Sequence, residues 1–111
     1  MFRRTILSLA LAAAFSGAAV AQCDPRFQIV NATDTPVAEL HISSSGEAAW
    51  GPDLLGSGVL APGQGAEVTP PAGGMYDMRV VMANSQQAEL RQLNVCQISR
   101  VTVTPGGLQA Q

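Results

Sequence analysis

Short segments in which apolar and polar side chains alternate constrain the fold of this chain more than any other sequence feature. In residues 37–43 and again in residues 76–83, every second residue is apolar. A period of two places these side chains on one side of an extended strand. Seven short apolar segments are candidate strands: 27–30, 37–43, 59–60, 66–69, 76–83, 88–95 and 98–104.

Turn-forming residues separate these segments. Pro62-Gly63 and Asn84-Ser85-Gln86 are typical of tight connections between strands. Residues 51–55 could form one helical turn, and residues 85–93 have a helix-forming composition. We favour a strand in the second stretch because it lies between two other strand candidates, so that a hairpin closes naturally.

Together these patterns predict an all-β fold. Short strands at near-regular spacing favour a small antiparallel β-sandwich of immunoglobulin-like size with about seven strands. We place this single domain at residues 22–104. Residues 105–111 lack periodicity, and we expect them to form a flexible C-terminal tail.

The first 21 residues have the three parts of a secretory signal peptide. Arg3 and Arg4 precede a short apolar run, which ends in Ala19-Val20-Ala21. The run is shorter than the roughly 20 apolar residues that a membrane span needs. We predict cleavage after Ala21 and a periplasmic or secreted protein. Export by the Sec route is favoured, and the adjacent arginines make the twin-arginine route the alternative.

The charge of the mature chain argues against two classes of partner. It keeps all eight acidic residues but only four arginines, has no lysine, and therefore carries a formal net charge of −4. Nucleic acids and anionic membranes are bound through clustered cations, so we expect neither as a partner. The length allows one domain, and we expect a monomer without a membrane span.

The chain has two cysteines, Cys23 and Cys96. In an exported protein they predict one intramolecular disulfide, because oxidation is permitted outside the cytoplasm. The alternatives are a pair of thiols that binds metal and a bridge between two molecules. A domain this small buries only about 60–65% of the surface that its unfolded chain exposes, so its core alone gives limited stability. A covalent link would increase the stability of the fold.

Five motifs follow one another along the mature chain: Phe-x-(Ile/Val/Leu)-x-Asn-x-Thr at 27–33, Trp-Gly-x-Asp-Leu-Leu-Gly at 50–56, Pro-Gly at 62–63, Tyr-Asp-x-Arg-Val at 76–80 and Asn-x-Cys at 94–96. Together they resemble a family of small exported bacterial proteins with no assigned function. The resemblance implies no catalytic residues. Members of that family often have a cysteine where this chain has Met75, which would make Cys23 a local substitute.

The loop after the second strand candidate contains the only tryptophan of the chain. Because the mature chain has few aromatic residues, we expect Trp50 to act as a lid over the core. In this hypothesis Asp53 accepts backbone hydrogen bonds at the following turn. The alternative is an exposed ring that stacks on a sugar or a peptide. The candidate binding residues of this loop are Ser43, Ser44, Ser45, Trp50 and Asp53.

Copper is the metal that the residue types of this sequence would suit best. His41, Met75, Met78 and Met82 offer imidazole and thioether ligands, which suit Cu(I). In a strand, however, Met78 and Met82 stand about 13 Å apart, and methionine is an ordinary core residue. We therefore predict no metal site and no cofactor, and we place His41 on the solvent-facing side beside Glu39.

No catalytic constellation is evident in the sequence. The single histidine has no nucleophile motif near it, and the acidic residues are scattered over turns. We predict a non-enzymatic binding or structural module of the bacterial envelope. Its partner would be a protein or an envelope polymer, met through a sheet edge or the serine-rich loop. The alternatives are an inhibitor that presents residues 43–46 to a secreted hydrolase, and a periplasmic copper-binding protein.

Overall fold

The structure, a computed structural model, describes residues 23–111, so the predicted signal peptide lies outside the described residues. These residues form seven strands and no helix, and thus none that could cross a membrane. The strands are β1 (Phe27–Asn31), β2 (Val37–Ser44), β3 (Gly65–Val68), β4 (Met75–Met82), β5 (Gln87–Asn94), β6 (Arg100–Thr104) and β7 (Gly107–Ala110).

Two sheets make up the predicted β-sandwich, which is confirmed. The four-stranded sheet has the order β3-β1-β6-β7, and the three-stranded sheet has the order β2-β4-β5. Neighbouring strands are antiparallel except for β1 and β6, which run parallel. The parallel pair arises because the chain leaves the four-stranded sheet after β3, builds β4 and β5 in the other sheet, and returns to it as β6.

The core lies between the two sheets and is built from the alternating positions. Met78 and Val80 of β4 are fully buried, and Tyr76 and Met82 on the same face are nearly so. The segment 85–93 contributes β5, as expected, and the connection before it is a tight hairpin in which Ser85 has φ 74°. The segment 59–60 forms no strand; its Leu60 makes only an isolated bridge to β2.

The expectation of a flexible C-terminal tail is wrong. Residues Gly107–Ala110 form β7, which pairs antiparallel with β6. The turn is tight because Gly107 adopts φ 131° and Thr104 donates its side-chain hydroxyl to the Gly107 carbonyl (2.8 Å). Backbone hydrogen bonds to the edge of β6 hold this strand in the sheet. Of its side chains only Leu108 packs against the core, and the strand therefore shows no apolar period.

A buried asparagine fixes the connection between β1 and β2. Asn31 has no exposed surface, and its Nδ2 donates to the carbonyl oxygens of Thr35 (2.8 Å) and Leu60 (3.0 Å). Its Oδ1 accepts from the backbone N–H (3.0 Å) and the hydroxyl (2.7 Å) of Thr33. One side chain therefore ties the end of β1 to its own turn and to the segment that precedes β3.

The predicted disulfide is confirmed. Cys23 and Cys96 are bonded, with their Cα atoms 5.4 Å apart. The bond joins the segment before β1, in the four-stranded sheet, to the crossover that leads from β5 to β6. Gly73 packs directly on it, because a Cβ atom at this position would lie 2.7 Å from both sulfur atoms.

We expect Gly73→Ala to destabilise the oxidised protein by about 1–3 kcal/mol, the usual cost of overpacking. The same substitution in a Cys23→Ala, Cys96→Ala background should be neutral or slightly stabilising, because the sulfur atoms are gone and alanine restricts the unfolded chain more than glycine does. Urea unfolding of the four proteins measures both effects. Equal costs in the two backgrounds would show that Gly73 does not pack on the disulfide.

Candidate functional site

A β-bulge between β4 and β5 creates the most unusual polar position of the fold. Tyr76 pairs with Leu93 and Met78 pairs with Leu90, so two residues of β5 lie opposite Asp77. The second of them, Gln92, adopts φ 55°, a conformation that side-chain-bearing residues seldom take. The bulge leaves the N–H of Gln92 without a strand partner, and the Asp77 carboxylate accepts it (2.9 Å).

Asp77 is therefore a buried carboxylate with three donors around it. Besides Gln92, the Ser45 hydroxyl donates to Oδ1 (2.8 Å) and the Arg91 guanidinium donates to Oδ2 (3.0 Å). The Gln92 N–H contributes most, followed by the Ser45 hydroxyl, and these donors together with Arg91 outweigh burial and hold the pKa of Asp77 below its usual value. The ionised carboxylate thus anchors both the bulge and the serine-rich loop.

Trp50 lies against the outer side of the three-stranded sheet, beside the arginine that Asp77 binds. The guanidinium carbon of Arg91 is 4.9 Å from the centroid of the Trp50 ring, close enough for a cation–π interaction. Arg91 also donates to Glu89 (2.7 Å), so two carboxylates hold its orientation. We call the outer side of the β2-β4-β5 sheet, together with the Trp50 loop that crosses it, the Trp50 face.

The expectation that Trp50 is a lid over the core is wrong. The ring is partly exposed and does not belong to the buried cluster between the sheets. Phe27, Tyr76 and aliphatic side chains fill that space, so the core does not need the indole. Of the two leucines in the same loop, Leu55 packs against the core, whereas Leu54 remains 46% exposed.

A second arginine of the Trp50 face has no ion-pair partner within residues 23–111. Arg79 lies between His41 of β2 and Glu89 of β5 in the strand register. Its Nε is buried and has no hydrogen-bond partner among residues 23–111. No ion pair within 4.0 Å involves Arg79 in the described part of the chain, since Glu89 is bonded to Arg91. Among the described residues, the face therefore carries one guanidinium that two carboxylates hold and one that no carboxylate binds.

His41 fastens the Trp50 loop to β2. Its Nδ1 lies 2.8 Å from the Gly51 carbonyl, and its Nε2 lies 2.8 Å from the Glu39 carboxylate. Both neighbours are acceptors, so only the imidazolium, with two N–H groups, satisfies both. Partial burial opposes this charged form, but the hydrogen bonds to Glu39 and Gly51 and the charges of Glu39 and Asp53 prevail and raise the pKa of His41.

We expect the contribution of His41 to stability to depend on pH. Because the folded-state pKa is raised above the unfolded value of about 6.5, the contribution is complete below that value and is lost as the pH rises through the folded pKa. The difference in unfolding free energy between wild type and His41→Gln, measured from pH 5 to pH 9, should therefore shrink with increasing pH. Asp53 acts on the ring through its charge and Arg79 is its partner in the strand register, and both proteins contain these two residues. A constant or growing difference would contradict the expectation.

The structure separates the five predicted loop residues into two groups. Ser45 and Trp50 meet on the Trp50 face through Asp77 and Arg91. Ser43 and Ser44 end β2 and make no side-chain contact of this kind in the described residues, and Asp53 accepts the backbone N–H groups of Leu40 and Leu55 at 3.0 Å, as expected. Sequence reasoning missed three residues of the site: Asp77, Arg79 and Arg91.

The side chains considered for copper lie apart. Met78 and Met82 are buried in the core, as expected, and Met75 is 44% exposed. His41 lies on the solvent-facing side beside Glu39, also as expected, and both of its nitrogens are engaged. Within residues 23–111 no group of three or more His, Cys, Asp or Glu side chains is placed to hold a metal ion.

The position of Trp50 has a spectroscopic consequence. Because the ring is partly exposed and lies next to a guanidinium, we expect iodide to quench its fluorescence more strongly than caesium at equal concentration. Arg91→Gln should reduce this preference for the anion. Stern–Volmer constants for the single tryptophan measure both. Blue-shifted emission that neither ion quenches would show that the ring is buried in the core and would contradict its position on the Trp50 face.

The description of the fold and of the Trp50 face is based on the geometry of this chain alone, because no related protein supports it. The resemblance to small exported bacterial proteins stays a prediction. Comparison of the chain with protein-family models, with curated proteins and with solved structures found no match.

Proposed function

We propose that this chain is an exported, non-enzymatic binding module whose recognition surface is the Trp50 face. One observation carries the proposal: Trp50 lies outside the core against Arg91, whose guanidinium is held by Asp77 and Glu89. Tryptophan and arginine are the residue types most enriched at the energetic centres of protein interfaces. Side chains that are already held in place lose less conformational entropy when a partner binds.

The charges of the Trp50 face indicate the chemistry of the partner. Arg79 has no ion-pair partner among the described residues, and its planar guanidinium suits a carboxylate that accepts two hydrogen bonds. The neighbouring Trp50 ring offers an apolar surface for a side chain next to that carboxylate. We therefore infer a protein partner that presents an acidic residue beside an apolar one.

Two further features support an exported protein. The Cys23–Cys96 disulfide fits an oxidising compartment, and the N-terminal sequence has the parts of a signal peptide. The proposal that the module is non-enzymatic is based on the engagement of its potential catalytic groups in other bonds. Both nitrogens of His41 are engaged, and both cysteines are consumed in the disulfide.

Site-specific photo-cross-linking tests the proposal in cells that produce the protein natively. A photoreactive residue at Ala49, exposed beside Trp50, should capture a protein partner, whereas one at Gln109, exposed on β7, should not. The captured protein is then identified by mass spectrometry and purified for affinity measurements. Trp50→Ala and Arg79→Gln should each weaken its binding at least about tenfold, the loss expected at an interface centre.

Arg100→Gln provides the matched control, because Arg100 is an exposed arginine on the other sheet. It should change the affinity less than about threefold. Equal losses for Arg79→Gln and Arg100→Gln, or cross-links from Gln109 alone, would refute the Trp50 face as the recognition surface. Cross-links to an envelope polymer instead of a protein would refute the partner class.

A further inference from the structure

The outer edge of β3 is a second surface of the molecule, separate from the Trp50 face. The backbone N–H of Asn31 donates to the Gln64 carbonyl (2.9 Å), which shows that the odd-numbered residues of β1 bond toward β3. Their partners in the register are Ala66 and Val68. In an antiparallel pair only alternate residues bond to the neighbour, so the other residues of β3 direct their backbone groups outward.

Gly65 and Glu67 are these outward residues. No backbone hydrogen bond from elsewhere in residues 23–111 reaches them. Their N–H and C=O groups form a row of donors and acceptors with the spacing of a strand. Such a row is complementary to another extended backbone.

An apolar groove runs beside this edge. It has a volume of about 510 Å³, within the range of ligand-binding pockets. It lies where the open edge of the four-stranded sheet meets the loop that covers β2, and Leu54 is exposed on its rim. The apolar side chains that line it include Ile42, Leu54, Leu55, Ala66, Val68 and Pro71.

The other sheet edges offer different surfaces. The edge of β2 is covered, because the N–H of Leu54 donates to the Leu40 carbonyl (2.8 Å) and Leu60 pairs with Val37. The edge strand β5 carries the bulge at Gln92 and exposed charges, which discourage pairing. The strand β7 borders a polar cleft.

The charge of the groove narrows the choice of occupant. Glu67 is the charged residue of its lining, and its side chain has no hydrogen bond or ion pair within the described residues 23–111. Arg26 attracts Glu67 only at longer range, because its guanidinium is bonded to Asp24. An occupant strand with a lysine or arginine opposite Glu67 would supply a direct ion-pair partner. A second copy of β3 would bring another Glu67 instead, so charge disfavours pairing between two copies of this chain.

We propose that the β3 edge and the groove beside it receive an extended segment of a partner protein. The segment adds to the four-stranded sheet as a fifth strand, places apolar side chains in the groove at alternate positions, and carries a basic residue opposite Glu67. The free backbone row determines that the occupant is extended, and the groove and Glu67 determine its side-chain pattern.

A blocked peptide, acetyl-Thr-Val-Lys-Val-Thr-Val-amide, is the probe, and amide chemical shifts of the mature protein are the readout. We expect saturable binding at millimolar peptide or below, with the largest shifts and the largest gain in hydrogen-exchange protection at Gly65 and Glu67. Two variants separate the contributions. Glu67→Gln removes only the charge and should weaken binding about two- to fivefold at low salt, whereas Glu67→Pro also removes the outward N–H and should weaken it at least about tenfold.

The same peptide with every amide nitrogen between its residues N-methylated is the control and should not bind, because both of its strand edges have then lost their N–H groups. Unchanged shifts in β1 would confirm that Glu67→Pro keeps the fold; if it does not, the N-methylated peptide decides. Binding of both peptides with equal affinity, largest shifts on the Trp50 face, or no binding at about 5 mM would overturn the proposal. Arg79→Gln should leave peptide affinity unchanged, so this result is independent of the proposed function.

Discussion

Replacing Cys23 and Cys96 by alanine should lower the free energy of unfolding by about 4 kcal/mol, one of the two largest losses that we expect. The two residues are 73 positions apart, and the entropy that a cross-link removes from the unfolded chain grows with the length of the loop it closes. For a domain of this size the loss corresponds to a melting temperature lower by about 15–30 °C.

The loss has a structural reason besides chain entropy. Cys23 precedes β1, the central partner of both β3 and β6, and Cys96 lies in the crossover between the sheets. Without the bond, no covalent link holds the segment before β1 against that crossover. The exposed position of Cys96 makes the bond accessible to reductant, so a reducing agent should reproduce the effect in the wild type.

Thermal and urea unfolding of the wild type, with and without reductant, and of the double alanine variant measure the effect. Reductant should not change the stability of the alanine variant, which serves as the control. If natively exported protein contained two free thiols, or if reduction left its melting temperature unchanged, the disulfide would not be the staple of this fold.

The strands could be predicted from the sequence because their signal is local. In β4, the alternation of Tyr76, Met78, Val80 and Met82 places one face in the core, and the fold buries all four of these side chains. The strand β7 was missed because it has no apolar period. It forms because the edge of β6 is free to pair. The sequence of a four-residue segment does not show which strand edge will lie beside it in the fold.

The candidate site could be predicted only in part, because it depends on contacts between distant residues. Trp50 was singled out as the sole tryptophan, but Arg91, which sets its position, lies 41 residues further along the chain. The alternation in residues 76–83 puts Asp77 on the face opposite to Tyr76 and Met78. Its burial and its three donors come from the bulge at Gln92, and nothing in either strand marks that change of register.

Asn31→Asp should cost about 3–5 kcal/mol at neutral pH, the range for a buried charge without a partner. Nδ2 of Asn31 donates to two carbonyl oxygens, and an aspartate would turn a carboxylate oxygen toward them instead. The Leu60 carbonyl keeps another donor, the Val37 N–H. The Thr35 carbonyl keeps only the Thr33 hydroxyl, whose single proton it shares with Oδ1 of residue 31. The cost therefore comes mainly from the buried negative charge, with the two lost hydrogen bonds adding to it.

The pH dependence of this variant distinguishes charge from lost hydrogen bonds. Burial against carbonyls should raise the pKa of the new carboxyl above the unfolded value of about 3.9, so the protonated form is favoured in the folded state. The difference in unfolding free energy from wild type should thus be smallest below about pH 4 and grow as the pH rises. Asn94→Asp is the matched control, since Asn94 uses only its Oδ1, as acceptor for the Cys96 N–H (3.0 Å), and a carboxylate can take over that role. A cost at Asn31 that does not change with pH would show that the lost hydrogen bonds of Nδ2, and not the buried charge, cause the loss. A cost at Asn94 as large as that at Asn31 would show that the loss does not depend on the role of Nδ2.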